Sequence, residues 1–284
     1  MAHERVKAVV VTLGVSALVQ ALTVHQVGEH TWSGSLLDLG WGRVFGGLVM
    51  AQALGAASAS APAERNCHSL HAHFLRAARL DLPVQYKVRP LFDGGSFSTR
   101  HVDAVQGGAV ILTLLASYQC QEDGLEHADD MPVLSPPDPA LRGENAGAAL
   151  DWVPSAHRDP RRPLVEPPTR HTWFRTASDF PNERRLRQQL LAFVTDAHFL
   201  TTSLQPHGLG WMSPGMQCAT ISHALFFHRP WPSHGWAVHD VRSPSAHGGR
   251  GLVRGSVFHE SGVLLASTVQ EGLVRRRGGD GTSE

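Results

Sequence analysis

The chain has no excess of either charge: Lys and Arg number 25, and Asp and Glu also number 25. Such a balance sets up no overall field to draw in nucleic acid or an anionic membrane, so any anionic partner must be met by a local group of arginines. Cysteine is scarce. Cys67, Cys120 and Cys218 are odd in number and contain no CxxC pair. That excludes a disulfide scaffold and fits a reducing, cytoplasmic compartment. A phosphate-binding glycine loop is missing too, since GGLVMAQALG (46–55) matches neither GxGxxG nor a Walker loop. There is no G-x-S-x-G nucleophile elbow; GGSFS (94–98) comes nearest and lacks the pattern. Charged residues make up only 18%, against 42% hydrophobic, so 284 residues of this kind can bury a substantial core.

Long apolar runs are also few. RVKAVVVTLGVSALVQALTV (5–24) has the cations and apolar stretch that open a secretory signal. However, Glu4 interrupts the basic start and no strong small-x-small cleavage site follows. The spacing of Val11, Val15, Leu18 and Leu22 suits an amphipathic helix. The run is too short and too interrupted for a membrane span, and no membrane association is expected.

What the chain does have is a pattern that occurs twice. Nine of its eighteen prolines fall between Gln121 and Thr169, which reads as a linker between two halves. HSLHAHFLR (68–76) in the first half matches TISHALFFHR (220–229) in the second on His-Ala-x-Phe. Leu-Leu-Ala-Ser recurs at Leu114 and Leu264. The two offsets, 152 and 150, agree closely enough to indicate an internal duplication. Each half then shows a helix followed by consecutive strands. The first has a helix over Phe45–Ala61 and strands at 67–75, 83–92, 96–105 and 109–119. The second has a strand at 170–177, a longer helix over 182–204, and strands at 216–227, 236–244, 249–259 and 263–274. QGG (106–108) and ESG (260–262) read as matching hairpin turns. This order predicts an α+β fold, with each helix packed on an antiparallel sheet.

Two constellations invite a chemical reading. Cys67, His68, His71 and His73 lie close together, and simple strand alternation would put Cys67, Ser69, His71 and His73 on one face, a stereochemically possible zinc set. The second copy carries Ile221 and Leu225 where Ser69 and His73 stand, so the duplication argues for an ordinary core or interface strand, and no metal is expected. The other constellation centres on Asp196, whose helical neighbours one turn away are Ala192, Phe193, Phe199 and Leu200. A carboxylate in that setting is costly unless it is bonded or used. Held by a strand hydroxyl or a histidine, it would need no catalytic role; in a partly desolvated pocket it would be a general base. Thr220 and Ser222 would offer hydroxyls from one strand face, and Gln270 an amide from another strand. A carboxylate, a hydroxyl and an amide can together hold one water.

These residues lie within a run of motifs that resembles the type II acyl-CoA thioesterases. The resemblance is carried by RVFGGLVMAQAL (43–54), HSLHAHFLR (68–76), DGGSFSTRHVDAVQGG (93–108), LQPHGLG (204–210), ATISHALFFHRP (219–230), SPSAHGGRGLVRG (243–255) and LLASTVQEGLVR (264–275). It implies a double hotdog fold, two repeats each with an antiparallel sheet wrapped round a long helix. The repeats are expected at 18–120 and 170–275, joined by the 121–169 linker. It also implies an Asp196–Thr220–Gln270 catalytic set, hydrolysis of fatty acyl-CoA to acid and CoA, no cofactor, and a homo-oligomer, dimer or tetramer. Leu48 and Ser222 depart from the family's usual Gln and Asp, and the first 16 or so residues precede its usual start. Two alternatives stay open: a hotdog enoyl-CoA hydratase, echoed by Asp196 and His198, and an acyl-binding protein without activity. For CoA phosphates, Arg43, Arg229, Arg250 and Arg254 are the candidates.

Overall fold

A computed structural model describes residues 13–38, 44–141, 149–156, 158–159, 161–197 and 199–277. The first half comprises helix α1 (Val15–Leu22), strands β1 (Val24–Gly28) and β2 (Thr31–Gly34), helix α2 (Gly46–Ser60), and strands β3 (Arg65–Phe74), β4 (Val84–Asp93), β5 (Phe97–Gln106) and β6 (Ala109–Cys120). The second comprises β7 (Leu150–Pro154), β8 (Thr169–Thr176), helix α3 (Arg184–Asp196), and strands β9 (Met216–Phe227), β10 (Ala237–His247), β11 (Arg250–His259) and β12 (Leu264–Arg276). All twelve strands join one antiparallel sheet in the order β1-β2-β4-β5-β6-β3-β9-β12-β11-β10-β8-β7. β2-β4-β5-β6-β3 and β8-β10-β11-β12-β9 therefore have the same internal order, and β1 and β7 each add an outer strand. The result is the double hotdog, with β3 and β9 paired at the centre.

The two helices lie antiparallel beneath this sheet. Arg185 at the start of α3 donates to the Ser58 carbonyl near the end of α2, while Asp196 at the end of α3 accepts from the Gly47 N–H at the start of α2. α2 is rich in Ala and Gly and is buried from Gly47 to Ser58, as expected of a helix covered on all sides. Small side chains let α3 come close: a Cβ on Gly55 would collide with the Gln189 amide nitrogen. Gln52, the largest polar side chain in α2, is fully bonded. Its amide donates to the Ala21 and Ser35 carbonyls, and its oxygen accepts from the Tyr86 hydroxyl. α1 buries Leu18, Ala21 and Leu22 against this core, so the 15–22 stretch is a packed helix, as its spacing suggests. Val11 and the preceding residues lie outside the described ones.

Several sequence expectations need correction. Leu150–Pro154, expected to be linker, form β7 and pair with β8. The helix expected over 182–204 stops at Asp196, where Ala197 turns extended (φ −72°, ψ 127°), and Leu200–His207 form a separate 3-10 turn. The repeat is real in topology, but the matched letters do not overlay. The central pairing is symmetric about His71 opposite Ala224, an offset of 153. His71 is exposed while His223 is fully buried, so His-Ala is out of phase by one residue. Leu114 pairs with Ala72, and Thr268 with Leu225, so the flanking strands β6 and β12 correspond at an offset of 154 rather than 150.

The phase error has a physical source, a β-bulge in each copy. Pairing skips His68 between Cys67 and Ser69, and skips Ile221 between Thr220 and Ser222. An extra residue shifts everything beyond it to the other face. Cys67 therefore shares the buried face with Leu70 and Ala72, while His71 and His73 are exposed. The single-faced Cys-His-His arrangement drawn from plain alternation does not exist in this strand. Burial also pushes the Cys67 thiol far above its ordinary range, which leaves it a poor ligand.

Candidate active site

The same bulge assembles the second-copy site. Without it, Thr220 and His223 would point to opposite faces; with it, both turn toward α3. Ser222, expected beside Thr220, is sent to the opposite face, where it pairs with Glu271 and His73. Gln270 stands directly across from His223 on β12 and is likewise buried. Asp196 enters from the helix side, at the last residue of α3.

These side chains form one hydrogen-bonded line. The Thr220 hydroxyl lies 3.2 Å from Asp196 Oδ1, Gln270 Nε2 lies 2.9 Å from Thr220 Oγ1, and His223 Nδ1 lies 2.8 Å from Gln270 Oε1. The direction of every proton follows from the carboxylate. An ionised Asp196 only accepts, so Thr220 donates to it and its oxygen is free to accept from the Gln270 amide. That turns Gln270 Oε1 toward His223, which must then carry its proton on Nδ1. Burial pushes the His223 imidazole down to about 4, so it stays neutral and holds this tautomer. Phe199 packs edge-on against the ring, centroids 5.7 Å apart, and helps exclude water.

Asp196 is 8% exposed. Loss of water raises its carboxyl to about 6, against the lowering effects of hydrogen bonds from Thr220, the Gly47 N–H and Gln270. Its place at the negative end of α3 acts in the same direction as burial, while the start of α2 opposes it. The approach of α2 depends on glycine. A Cβ on Gly46 would lie 2.9 Å from the Phe74 ring and 3.2 Å from Asp196 Oδ2. A group that is ionised near neutrality, yet can still take up a proton, suits general base chemistry.

Sequence reasoning thus picked three side chains that the structure brings into contact, Asp196, Thr220 and Gln270. It missed His223 and the part played by Gly46 and Gly47 at the start of α2. The missed signal for His223 was its own strand, whose inward phase becomes readable only once the bulge is known. The two departures sit apart from this line: Leu48 is fully buried in the apolar core, and Ser222 faces away. Of the four arginines considered for phosphate, the three that are described are not gathered around it. Arg229 pairs with Glu126, Arg250 pairs with Glu271, and Arg254 projects from the exposed side of β11. Arg43 and His198 lie outside the described residues.

A family model described as acyl-CoA thioesterase matches residues 151–273, and one described as acyl-CoA thioesterase N-terminal domain matches residues 37–119. Acyl-CoA thioesterase 2 of Haemophilus influenzae is 35% identical over 276 residues, covering 91% of this chain and 96% of its own. Acyl-coenzyme A thioesterase 8 of Mus musculus is 34% identical over 278 residues, covering 87% of this chain and 83% of its own. The crystal structure of the acyl-CoA thioesterase II TesB2 from Mycobacterium marinum superposes with a TM-score of 0.80 at 33% identity, covering 94% of this chain and all of that one. With both halves matched and nearly the full length shared, the chain belongs to the type II acyl-CoA thioesterase family.

Proposed function

We propose that the protein hydrolyses fatty acyl-CoA to free acid and CoA by direct attack of water, with Asp196 as base and Thr220 and Gln270 as the groups that hold the water. The observation that carries this reading is the bonded line Asp196–Thr220–Gln270, ending on a buried carboxylate raised to about 6. Water enters between these groups with its lone pairs toward the Thr220 hydroxyl or the Gln270 amide and a proton toward Asp196. The attack forms a C–O bond at the thioester carbonyl as Asp196 takes the proton. The tetrahedral oxyanion then collapses, breaking the C–S bond and releasing CoA as a thiolate. Donors such as the Gln270 amide meet the developing oxyanion charge, the largest single contribution in reactions of this kind. No serine or cysteine nucleophile is required, and the buried Cys67 thiol is held protonated.

Two repeats at 18–120 and 170–275, with the 121–169 segment between them lending β7 to the edge of the second, complete the proposal, the second supplying the base, hydroxyl and amide. A homo-oligomer, dimer or tetramer, would cover apolar side chains exposed on the outer sheet face, such as Leu115 and Val269. Three free cysteines support a reducing, cytoplasmic location. Among the described residues no helix is long and apolar enough to cross a membrane.

The test is thiol release measured over a series of acyl-CoA chain lengths, beside loss of the enoyl chromophore and a binding titration. Steady thiol release with free acid as co-product supports the proposal. Hydration of enoyl-CoA without thiol, or saturable binding without turnover, refutes it in favour of one of the two alternatives.

A further inference from the structure

The pseudo-twofold axis through the centre of the β3–β9 pairing relates the candidate active site to a second place in the molecule. The start of α2, the end of β3 and the bulge of β9 build the first. The start of α3, the end of β9 and the bulge of β3 build its counterpart. At the offsets set by the pairing, Cys67 stands for Thr220, Ala116 for Gln270 and Phe227 for Phe74. α2 has no carboxylate to offer there. A cavity of about 190 Å³ nevertheless lies beside this counterpart, lined by the start of α3, by Phe227 at the end of β9 and by the segment that follows it.

Its lining is cationic, without an acidic side chain. Arg184, Arg187 and Arg229 all face it. Arg229 is neutralised by Glu126 at 2.8 Å. Arg187 is only 3% exposed; its terminal nitrogens donate to the Pro232 and Phe180 carbonyls, and its Nε has no partner. The Gln188 oxygen is also buried without a partner, while its amide nitrogen is fixed on the Cys67 carbonyl. Burial alone pulls the Arg184 and Arg187 guanidinium groups below their ordinary value, and no carboxylate acts against it. A desolvated guanidinium that lacks a counter-charge is costly, and the missing element is an anion. In the active site the matching place, at the start of α2, is filled by the Asp196 carboxylate.

We propose that this cavity is a second binding site, distinct from the catalytic one, for a small carboxylate with a short apolar chain. The planar fork of Arg184 or Arg187 matches a carboxylate, and Leu191, Phe227 and Trp231 provide an apolar wall for the chain. The ligand class is the same as that of the acid released by the proposed reaction, but the site itself rests on the cavity and its arginines.

Calorimetric titration of the full chain with butyrate, and separately with inorganic phosphate, at constant ionic strength provides the test. Wild type is expected to bind butyrate saturably. Arg184→Ala, at a half-buried position whose guanidinium has no carboxylate partner and only a long 3.5 Å bond to Gln121 Oε1, is expected to weaken that binding at least tenfold, and Arg187→Met to abolish it. Asp196→Asn, which alters only the catalytic site, is expected to bind butyrate as wild type does, whether or not thiol release proves to depend on Asp196. Circular dichroism confirms that each variant is folded. Absence of saturable butyrate binding, or binding of phosphate alone, overturns the assignment. So does butyrate binding that is lost in Asp196→Asn but kept in Arg184→Ala, because the ligand would then occupy the catalytic site.

Discussion

Replacing Asp196 by Asn should destroy activity and at the same time stabilise the fold, with a pH dependence that identifies the carboxylate as the cause. Burial raises the Asp196 carboxyl from an ordinary 3.8 to about 6. Between those values the folded state holds a proton that the unfolded chain releases. The stability associated with the neutral form is fully present below about 3.8 and is lost as pH rises through about 6. At neutral pH the loss amounts to about 3 kcal/mol, from 1.36 kcal/mol per tenfold change in proton affinity. Asn keeps one acceptor oxygen for Thr220 or the Gly47 N–H but gives up the other, so the net gain should be roughly 1–2 kcal/mol after one weakened hydrogen bond. In a chain of this size that raises the melting temperature by a few degrees. Thermal or urea unfolding of both proteins from pH 4 to 8, read as the difference at each pH, cancels the other titrating groups. The variant's advantage should be absent near pH 4, grow through pH 6 and then level off. Thiol release by wild type should rise along a limb near pH 6, while Asp196→Asn should turn over about 100-fold or more slowly. Near-normal turnover by the variant, or a wild type more stable than it at pH 8, would refute the reasoning.

Three further outcomes follow from the same geometry. Thr220→Val should lower kcat by roughly 10–100-fold with little change in KM, because it removes the hydroxyl between Gln270 and Asp196, a difference visible in steady-state kinetics. His223→Gln offers Gln270 a different hydrogen-bond partner on a non-aromatic side chain, so kcat should fall while KM holds, and the activity limb near pH 6 should move if His223 positions the amide. An unchanged kcat and pH profile would limit His223 to packing. Gly46→Ala should cost activity by at least tenfold through displacement of Asp196, since its Cβ would stand 3.2 Å from the carboxylate and 2.9 Å from Phe74; full activity would show that α2 can shift away.

Much of this protein is written in its sequence. Local pattern alone determines α2, the paired hairpins with glycines at positive φ at Gly107, Gly108 and Gly262, and the helix-then-strands order that specifies the fold class. Residue chemistry singled out Asp196, because a carboxylate among apolar neighbours is costly at any tertiary setting. The edge strands β1 and β7 were not legible, since short outer strands owe their existence to a neighbour far along the chain rather than to their own letters. Nor were the bulges at His68 and Ile221. A bulge inserts one residue without any period of its own, yet it decides which face every later side chain takes. That single displacement sends His71 and Ser222 outward and turns Thr220 and His223 inward together. The end of α3 at Asp196 has the same character: nothing between Asn182 and Leu204 demands a break there, and only the antiparallel start of α2, with its free Gly47 N–H, gives the carboxylate a reason to stop the helix. Sequence supplied the groups, and long-range strand pairing and helix contact decided which of them meet.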